Sequence, residues 1–111
     1  MDNIILKVLG GWDYTPEFAG NKNMVITFKR LSGSEELNIL QNSDDTNQRE
    51  QLFIASIEKI TNPMKLENAK GIQKDVTPED ICKYGELKGL FYELISEYAK
   101  QGSMNGDALK K

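Results

Sequence analysis

The chain has 111 residues, which suits one domain, and its 14 basic and 17 acidic residues give a formal net charge of −3. Nucleic-acid-binding domains usually carry a basic field that displaces counterions from phosphates, so this charge balance argues against a nucleic-acid partner. The absence of histidine removes the commonest general base and the commonest nitrogen ligand for metals, and a single cysteine excludes an internal disulfide.

The N-terminus has no sign of export. Met1 is followed by Asp2 and Asn3 rather than by a basic region and a long apolar core, so we expect no secretory signal. The apolar runs are far shorter than the roughly 20 residues of a membrane-spanning helix. We therefore expect a cytoplasmic protein that does not enter a membrane.

The first part of the chain predicts a β-hairpin. In an extended chain, apolar side chains would lie on both faces of Asn3–Leu9. We therefore predict a strand over these residues that ends at Gly10-Gly11. Met24–Leu31 is the second strand, and the turn-rich stretch Trp12–Asn23 connects the two as the long loop of an antiparallel hairpin. Three side chains of the second strand should share one face: Met24, Ile26 and Phe28.

Two helices are predicted next. Ser32, with a glutamate three residues later, forms a capping box that starts the first helix, and Leu37 and Leu40 should face the core. The second helix should run over about Asn47–Ile60, where apolar residues recur at helical spacing. It should stop before Pro63, because proline drives the preceding residue out of the α region.

The region after the second helix is harder to assign. Alternation around Met64–Glu67 and a return over Ile72–Val76 allow a short hairpin. Thr77 then caps a short helix, because Pro78 stands at its first position and two acidic residues follow at the positive end of the helix dipole.

The clearest helical pattern lies near the C-terminus, over about Glu86–Gln101. Gly102 is placed as the C-cap of this helix. We predict a single α+β domain over residues 1–102 with about four helices. Residues 103–111 should form a flexible tail. The apolar stripe of this helix has the spacing i, i+3, i+4, i+7, i+8 and i+11. It consists of Leu87, Leu90, Phe91, Leu94, Ile95 and Tyr98.

No residue pattern predicts catalysis or a cofactor. Gly10-Gly11 lacks the following helix and the Lys-Ser/Thr of a phosphate loop, and no histidine is present to activate Cys82. We interpret Cys82 as a small hydrophobic residue of the core. The sequence therefore predicts a protein that is not an enzyme and has no cofactor or bound metal.

Two groups of charged residues resemble functional sites but are better explained by helix capping and by exposure to solvent. Asp44, Asp45 and Glu50 lack the alternating oxygen ligands and the late bidentate glutamate of a calcium loop, so helix capping is the better interpretation. Lys29 and Arg30 beside an aromatic residue are typical of an RNA contact in a basic protein. In this acidic chain a solvated strand edge fits them better.

Aromatic residues are the best candidates for binding a partner. Trp12, Tyr14 and Phe18 lie in a predicted loop, where binding residues often occur, and Tyr92 lies opposite the apolar stripe of the last helix. The three loop rings either fold back onto the core or form an exposed surface for a protein partner, since large rings contribute to both. The stripe itself more often packs in a core than binds a partner.

The segment Pro16–Asn23, followed by the strand Met24–Ser32, resembles the tail assembly chaperones of long-tailed bacteriophages and prophages. The order of elements over Tyr14–Gln101 is similar too, with a strand pair, helices, a Thr77-Pro78 step and a last amphipathic helix. The strand before Trp12 has no match in this resemblance.

The resemblance implies a role in the cytoplasm of a bacterial host cell. Such chaperones bind the long, helical, hydrophobic tape-measure protein, keep it soluble until tail-tube subunits assemble around it, and are absent from the finished tail. Two alternatives stay open: a structural head–tail connector or tail terminator protein, and a small regulatory protein that binds a host enzyme. Self-association also stays open.

Overall fold

The computed structural model describes residues 3–6, 8, 10–44 and 47–110, with side chains described as far as residue 101. The strands are β1 (Trp12–Tyr14), β2 (Val25–Phe28), β3 (Ile57–Thr61), β4 (Lys65–Glu67) and β5 (Gln73–Asp75). The helices are α1 (Gly33–Asn42), α2 (Gln48–Ser56), α3 (Pro78–Lys83) and α4 (Lys88–Lys110), with short 3₁₀ turns at Phe18–Gly20 and Gly85–Leu87. The fold is α+β, as the sequence predicts.

An antiparallel sheet with strand order β1-β2-β3 forms one side of the molecule. The predicted hairpin with a long loop is present, but its first strand is β1, where Trp12 lies opposite Phe28. The predicted strand at Asn3–Leu9 is wrong for its described residues, which form no strand, and Lys7 and Leu9 lie outside the described residues. Alternation alone does not form a strand, because the segment that pairs is the one whose side chains also pack on the core.

Gly11 explains how the chain enters β1. A Cβ atom at this position would overlap the carbonyl oxygen of Phe28, whereas a Cβ atom at Gly10 would meet nothing within 4 Å. The backbone therefore lies against β2 at a distance that only glycine permits. The glycine pair, which we predicted to end a strand, instead precedes one.

The third strand corrects the predicted helix over Asn47–Ile60. Helix α2 ends at Ser56, and Ile57–Thr61 forms β3, in which Ile60 lies opposite Ile26. The Ser56 carbonyl accepts a hydrogen bond from Lys29 N at 2.8 Å, so the helix end is fixed by the neighbouring chain. The free edge of β2 and β-branched residues favour a strand here, although the apolar spacing also fits a helix.

The core lies between the sheet and α4. Phe28 and Tyr98 are in ring contact at 5.7 Å, and Phe53 of α2 contacts Phe91 at 4.9 Å between centroids. The prediction that the alternate residues of β2 share a buried face is confirmed. The fully or nearly buried apolar residues are Met24, Ile26, Phe28, Phe53, Ile57, Val76, Ile81, Leu87, Leu90 and Leu94.

Helix α1 begins as predicted, with the Ser32 capping box formed, but it does not reach the core. Leu37 and Leu40, predicted to face the core, are exposed, and α1 buries no residue. The helix packs beside α2 rather than on the sheet, so helical spacing identified its apolar face without identifying a surface to cover it.

The second half of the chain agrees more closely with the sequence. Strands β4 and β5 form the antiparallel hairpin that alternation allowed. The Thr77 side chain accepts from Asp80 N at 3.2 Å, with Pro78 in the first turn, so the predicted start of α3 is confirmed. The prediction that Gly102 ends the last helix is wrong, because α4 continues to Lys110.

Candidate protein-binding surface

Glu93 of α4 attaches the loop after β1 to the last helix. Its Oε2 accepts from the Tyr14 hydroxyl at 2.6 Å and from Glu17 N at 2.7 Å, and its Oε1 accepts from Phe18 N at 3.1 Å. Accepting from Tyr14 and carrying a negative charge beside it, Glu93 holds the pKa of the Tyr14 phenol well above its ordinary value, and burial acts in the same direction. One carboxylate therefore connects strand, loop and helix.

Asn21 closes the same loop from within. Its side-chain amide donates to the carbonyl oxygens of Pro16 at 2.8 Å and Met24 at 3.0 Å, and its Oδ1 accepts from Met24 N at 2.8 Å. Pro16 itself is buried. The turn-rich loop is consequently a braced structure rather than a loose connection, which turn formers in the sequence do not reveal.

The predicted loop aromatics pack against the core. The Trp12 ring stacks on Phe28 at 5.1 Å and on Tyr98 at 5.6 Å, and the Arg30 guanidinium lies 4.8 Å from the Trp12 ring centroid. Phe18 lies on Gly89, where a Cβ atom would come within 3.2 Å of the ring. These contacts leave the rings half-buried, which agrees with the alternative in which the loop folds back onto the core. Contact with a partner through the exposed edges of the rings stays a prediction.

Tyr92 lies apart from these rings and is 61% exposed. Together with Ile95, Ser96 and Ala99 it follows the spacing i, i+3, i+4, i+7, which places the four on one side of α4. All four are exposed, Ile95 at 39%, and none is charged. We call these four residues the outer face of α4.

Sequence reasoning identified only one residue of the outer face. Ile95 was assigned to the core stripe, yet it lies at the margin of that stripe while Leu90 and Leu94 occupy its centre with no exposed surface. The available signal was the run of uncharged residues three, four and seven positions after Tyr92, which begins one turn after the exposed Lys88 on the same side of α4.

Other exposed apolar side chains belong to segments far from α4 in the sequence. Leu37 and Leu40, three residues apart, are exposed on α1. Four aliphatic residues before β1 are exposed over more than three quarters of their surface, namely Ile4, Ile5, Leu6 and Val8. Single exposed apolar residues are normal in proteins, so grouped ones carry more information, and of these groups the one on α4 contains an exposed aromatic ring.

Cys82 packs against the core, as its interpretation as a small hydrophobic residue predicts. Cys82 is half-buried, and burial first, then the nearby charges of Glu50 and Glu79, raises its pKa to about 11, so the thiol is protonated at neutral pH. Among the described residues, acidic and cysteine side chains form no group of three or more that could hold a metal ion. No helix in the described part of the chain has the length and apolarity needed to cross a bilayer.

The described structure thus combines a small α+β fold, a braced aromatic loop and a helix face of four uncharged residues. Fold resemblance alone would in any case not identify a function, which depends on the site. Comparison of the chain with protein-family models, with curated proteins and with solved structures finds no match.

Proposed function

We propose that the chain is a non-enzymatic, protein-binding chaperone of the phage tail assembly kind, which holds an unassembled tail protein, such as the tape-measure protein, in soluble form in the host cytoplasm. The observation that carries the proposal is the outer face of α4. A holdase must offer apolar surface to an unassembled chain and yet stay soluble, and a net charge of −3 on a small domain is consistent with that.

The outer face of α4 suits a helical partner. Ser96 and Ala99 are small, so a second helix can approach α4 closely there, and Tyr92 and Ile95 supply larger groups that pack into its grooves. Tyrosine is also among the residues that contribute most to binding at protein interfaces. A long, helical, hydrophobic tape-measure protein has the surface that such a face would cover.

Affinity at one such face would be modest, because four residues bury far less area than a standard interface. A long partner offers many sites, so several copies bound along it would shield it through combined weak contacts. This arrangement also permits release when tube subunits compete for the same surface, because each contact dissociates rapidly.

The proposal is tested by mixing the purified protein with helical fragments of a tape-measure protein and measuring co-elution on gel filtration. We expect a complex with the unaltered chain and loss of that complex for the double variant Tyr92→Lys with Ile95→Lys. The matched control is the double variant Leu37→Lys with Leu40→Lys, which places the same two charges on exposed apolar positions of α1. Its complex should persist.

Two results would count against the proposal. One is the absence of co-elution with any tape-measure fragment while the protein is folded by circular dichroism. The other is the presence of the protein in mature phage particles by mass spectrometry, since a chaperone leaves the finished tail and a connector or terminator does not.

A further inference from the structure

A cleft of about 480 Å³ opens between the β4–β5 hairpin and the 3₁₀ turn that joins α3 to α4. Leu66 of β4 and Leu87 of the turn contribute its more buried surface. Ile72 and Tyr84 contribute its open walls and are 62% and 40% exposed. Such a volume lies within the roughly 300–1,000 Å³ of clefts that bind ligands.

Specific bonds hold the two walls of the cleft. Lys74 Nζ lies 2.9 Å from the buried carboxylate of Asp80, so the hairpin is tied to the start of α3. Asn68 Oδ1 accepts from Lys70 N at 2.8 Å and from Ile72 N at 3.0 Å, which fixes the turn that carries Ile72. The cleft is therefore a preformed feature, and occupying it requires little ordering of the hairpin.

The rim of the cleft carries negative charge. Glu67 and Glu86 line it, and Glu67 Oε1 is bonded at 3.1 Å to the neutral amide of Gln73. Among the described residues neither glutamate forms an ion pair. Lys74 also lines the cleft, but its charge is compensated by Asp80. Lys83 Nζ lies 5.4 Å from the centroid of the Tyr84 ring but forms no ion pair with either glutamate among the described residues. An apolar interior with two glutamates on its rim favours a ligand that is apolar at its centre and basic beside it.

We propose that this cleft binds an extended segment of a partner protein in which an aliphatic side chain is adjacent to lysine or arginine. The aliphatic group enters between Ile72 and Tyr84 and removes their exposed apolar surface from water. The basic group lies at the rim beside Glu67 or Glu86. Burial of the aliphatic side chain supplies most of the affinity. The rim charges select the segment, and their contribution to binding decreases as the salt concentration rises.

The proposal goes beyond the proposed function, because the cleft shares no residue with the outer face of α4. A segment bound in the cleft need not be helical and need not come from the same partner. The two surfaces can therefore be tested separately, and failure of one leaves the other intact.

The test uses the full chain and a short, soluble, fluorescently labelled peptide in which leucine and lysine alternate. Binding is measured by fluorescence anisotropy, and the site is located by amide chemical shifts in NMR. We expect the largest shifts at Ile72, Tyr84 and Leu87. A peptide with serine in place of leucine should bind at least about tenfold more weakly, and a peptide with glutamate in place of lysine should also be weaker.

Substitutions in the cleft separate its two components. Glu86→Lys should weaken binding up to about fivefold at low salt, which is the upper range for one exposed ion pair, and the effect should shrink at high salt. Glu36→Lys makes the same charge reversal on α1 and should leave binding unchanged. Ile72→Ser should weaken binding without unfolding the protein, because this side chain is mostly exposed.

Four results would overturn the proposal. The first is no binding of the leucine–lysine peptide at about 1 mM with a folded protein, an affinity at the weak limit of specific recognition. The second is equal binding of the leucine–glutamate peptide. The third is a set of shifts confined to residues outside the cleft. The fourth is a dimer in sedimentation that Ile72→Ser dissociates, which would assign the cleft to a second copy of the chain.

Discussion

Tyr14 in β1 donates its phenolic hydrogen to Glu93 in α4 over 2.6 Å, and the two residues are 79 positions apart in the chain. The same carboxylate accepts from two backbone N–H groups of the following loop. Glu93 therefore supplies three of the contacts that hold the aromatic loop on the last helix, next to the face proposed to bind a partner.

Glu93→Ala should destabilise the protein by about 1–3 kcal/mol, because three donors lose their acceptor and two of these bonds are partly buried. Urea unfolding measures the loss. Glu97→Ala is the matched control, since Glu97 lies one turn later and accepts only a 3.3 Å bond from Gln101 among the bonds found for it. Its cost should stay below about 0.5 kcal/mol. Equal costs for the two variants would show that Glu93 is an ordinary surface residue.

Tyr14 should make the stability of the protein depend on alkaline pH. Hydrogen bonding to Glu93 and burial raise the pKa of Tyr14 above its ordinary value, so the folded state favours the neutral phenol. Its contribution is complete below pH ~10, where an unfolded tyrosine is still protonated, and declines as pH rises further. The difference in unfolding free energy between the unaltered chain and Tyr14→Phe should shrink from pH ~9 to ~11. A constant difference would contradict the assigned bond.

Gly11→Ala and Gly10→Ala should differ sharply although they are neighbours. A methyl group at position 11 overlaps the Phe28 carbonyl oxygen, and backbone cannot move aside cheaply, so we expect a loss of at least about 2 kcal/mol. Position 10 is open and should tolerate alanine within about 0.5 kcal/mol. The midpoints of thermal unfolding of the two variants test this difference. Similar midpoints would mean that Gly11 does not lie against the Phe28 carbonyl.

Asp80 should make the protein sensitive to acid. Burial opposes ionisation of its carboxyl, but hydrogen bonds from Lys74 and Thr77 outweigh burial and hold the pKa below its ordinary value. The stabilisation is present above pH ~4, where an unfolded aspartate is ionised, and is lost as pH falls through the lower folded value.

Asp80→Asn therefore should be less stable than the unaltered chain by about 1–3 kcal/mol at neutral pH, with the gap narrowing below pH ~4. Denaturant unfolding at several pH values measures that gap. Glu79→Gln, on the exposed side of the same turn, serves as the control and should show no such dependence. A gap that persists undiminished in acid would indicate that packing, and not charge, is lost in Asp80→Asn.

Local signals in the sequence were sufficient where one short segment decides the outcome. Ser32 and Thr77 each start a helix through bonds to residues three positions later, so both caps were predictable. The buried alternate residues of β2 and the centre of the α4 stripe followed from spacing, because in both elements the regularly spaced apolar side chains are the ones that pack in the core. The α+β class rests on the same local signals.

Tertiary structure decided which of two locally acceptable states each remaining segment adopts. Ile57–Thr61 has the spacing of a helix but lies at the free edge of β2, and pairing there satisfies its backbone as a strand. Leu37 and Leu40 have core spacing but no surface to cover them. The bond from Tyr14 to Glu93 and the cleft around Ile72 join segments far apart in the chain. Spacing within one segment carries no information about such partners, because contact between distant residues depends on how the whole chain packs.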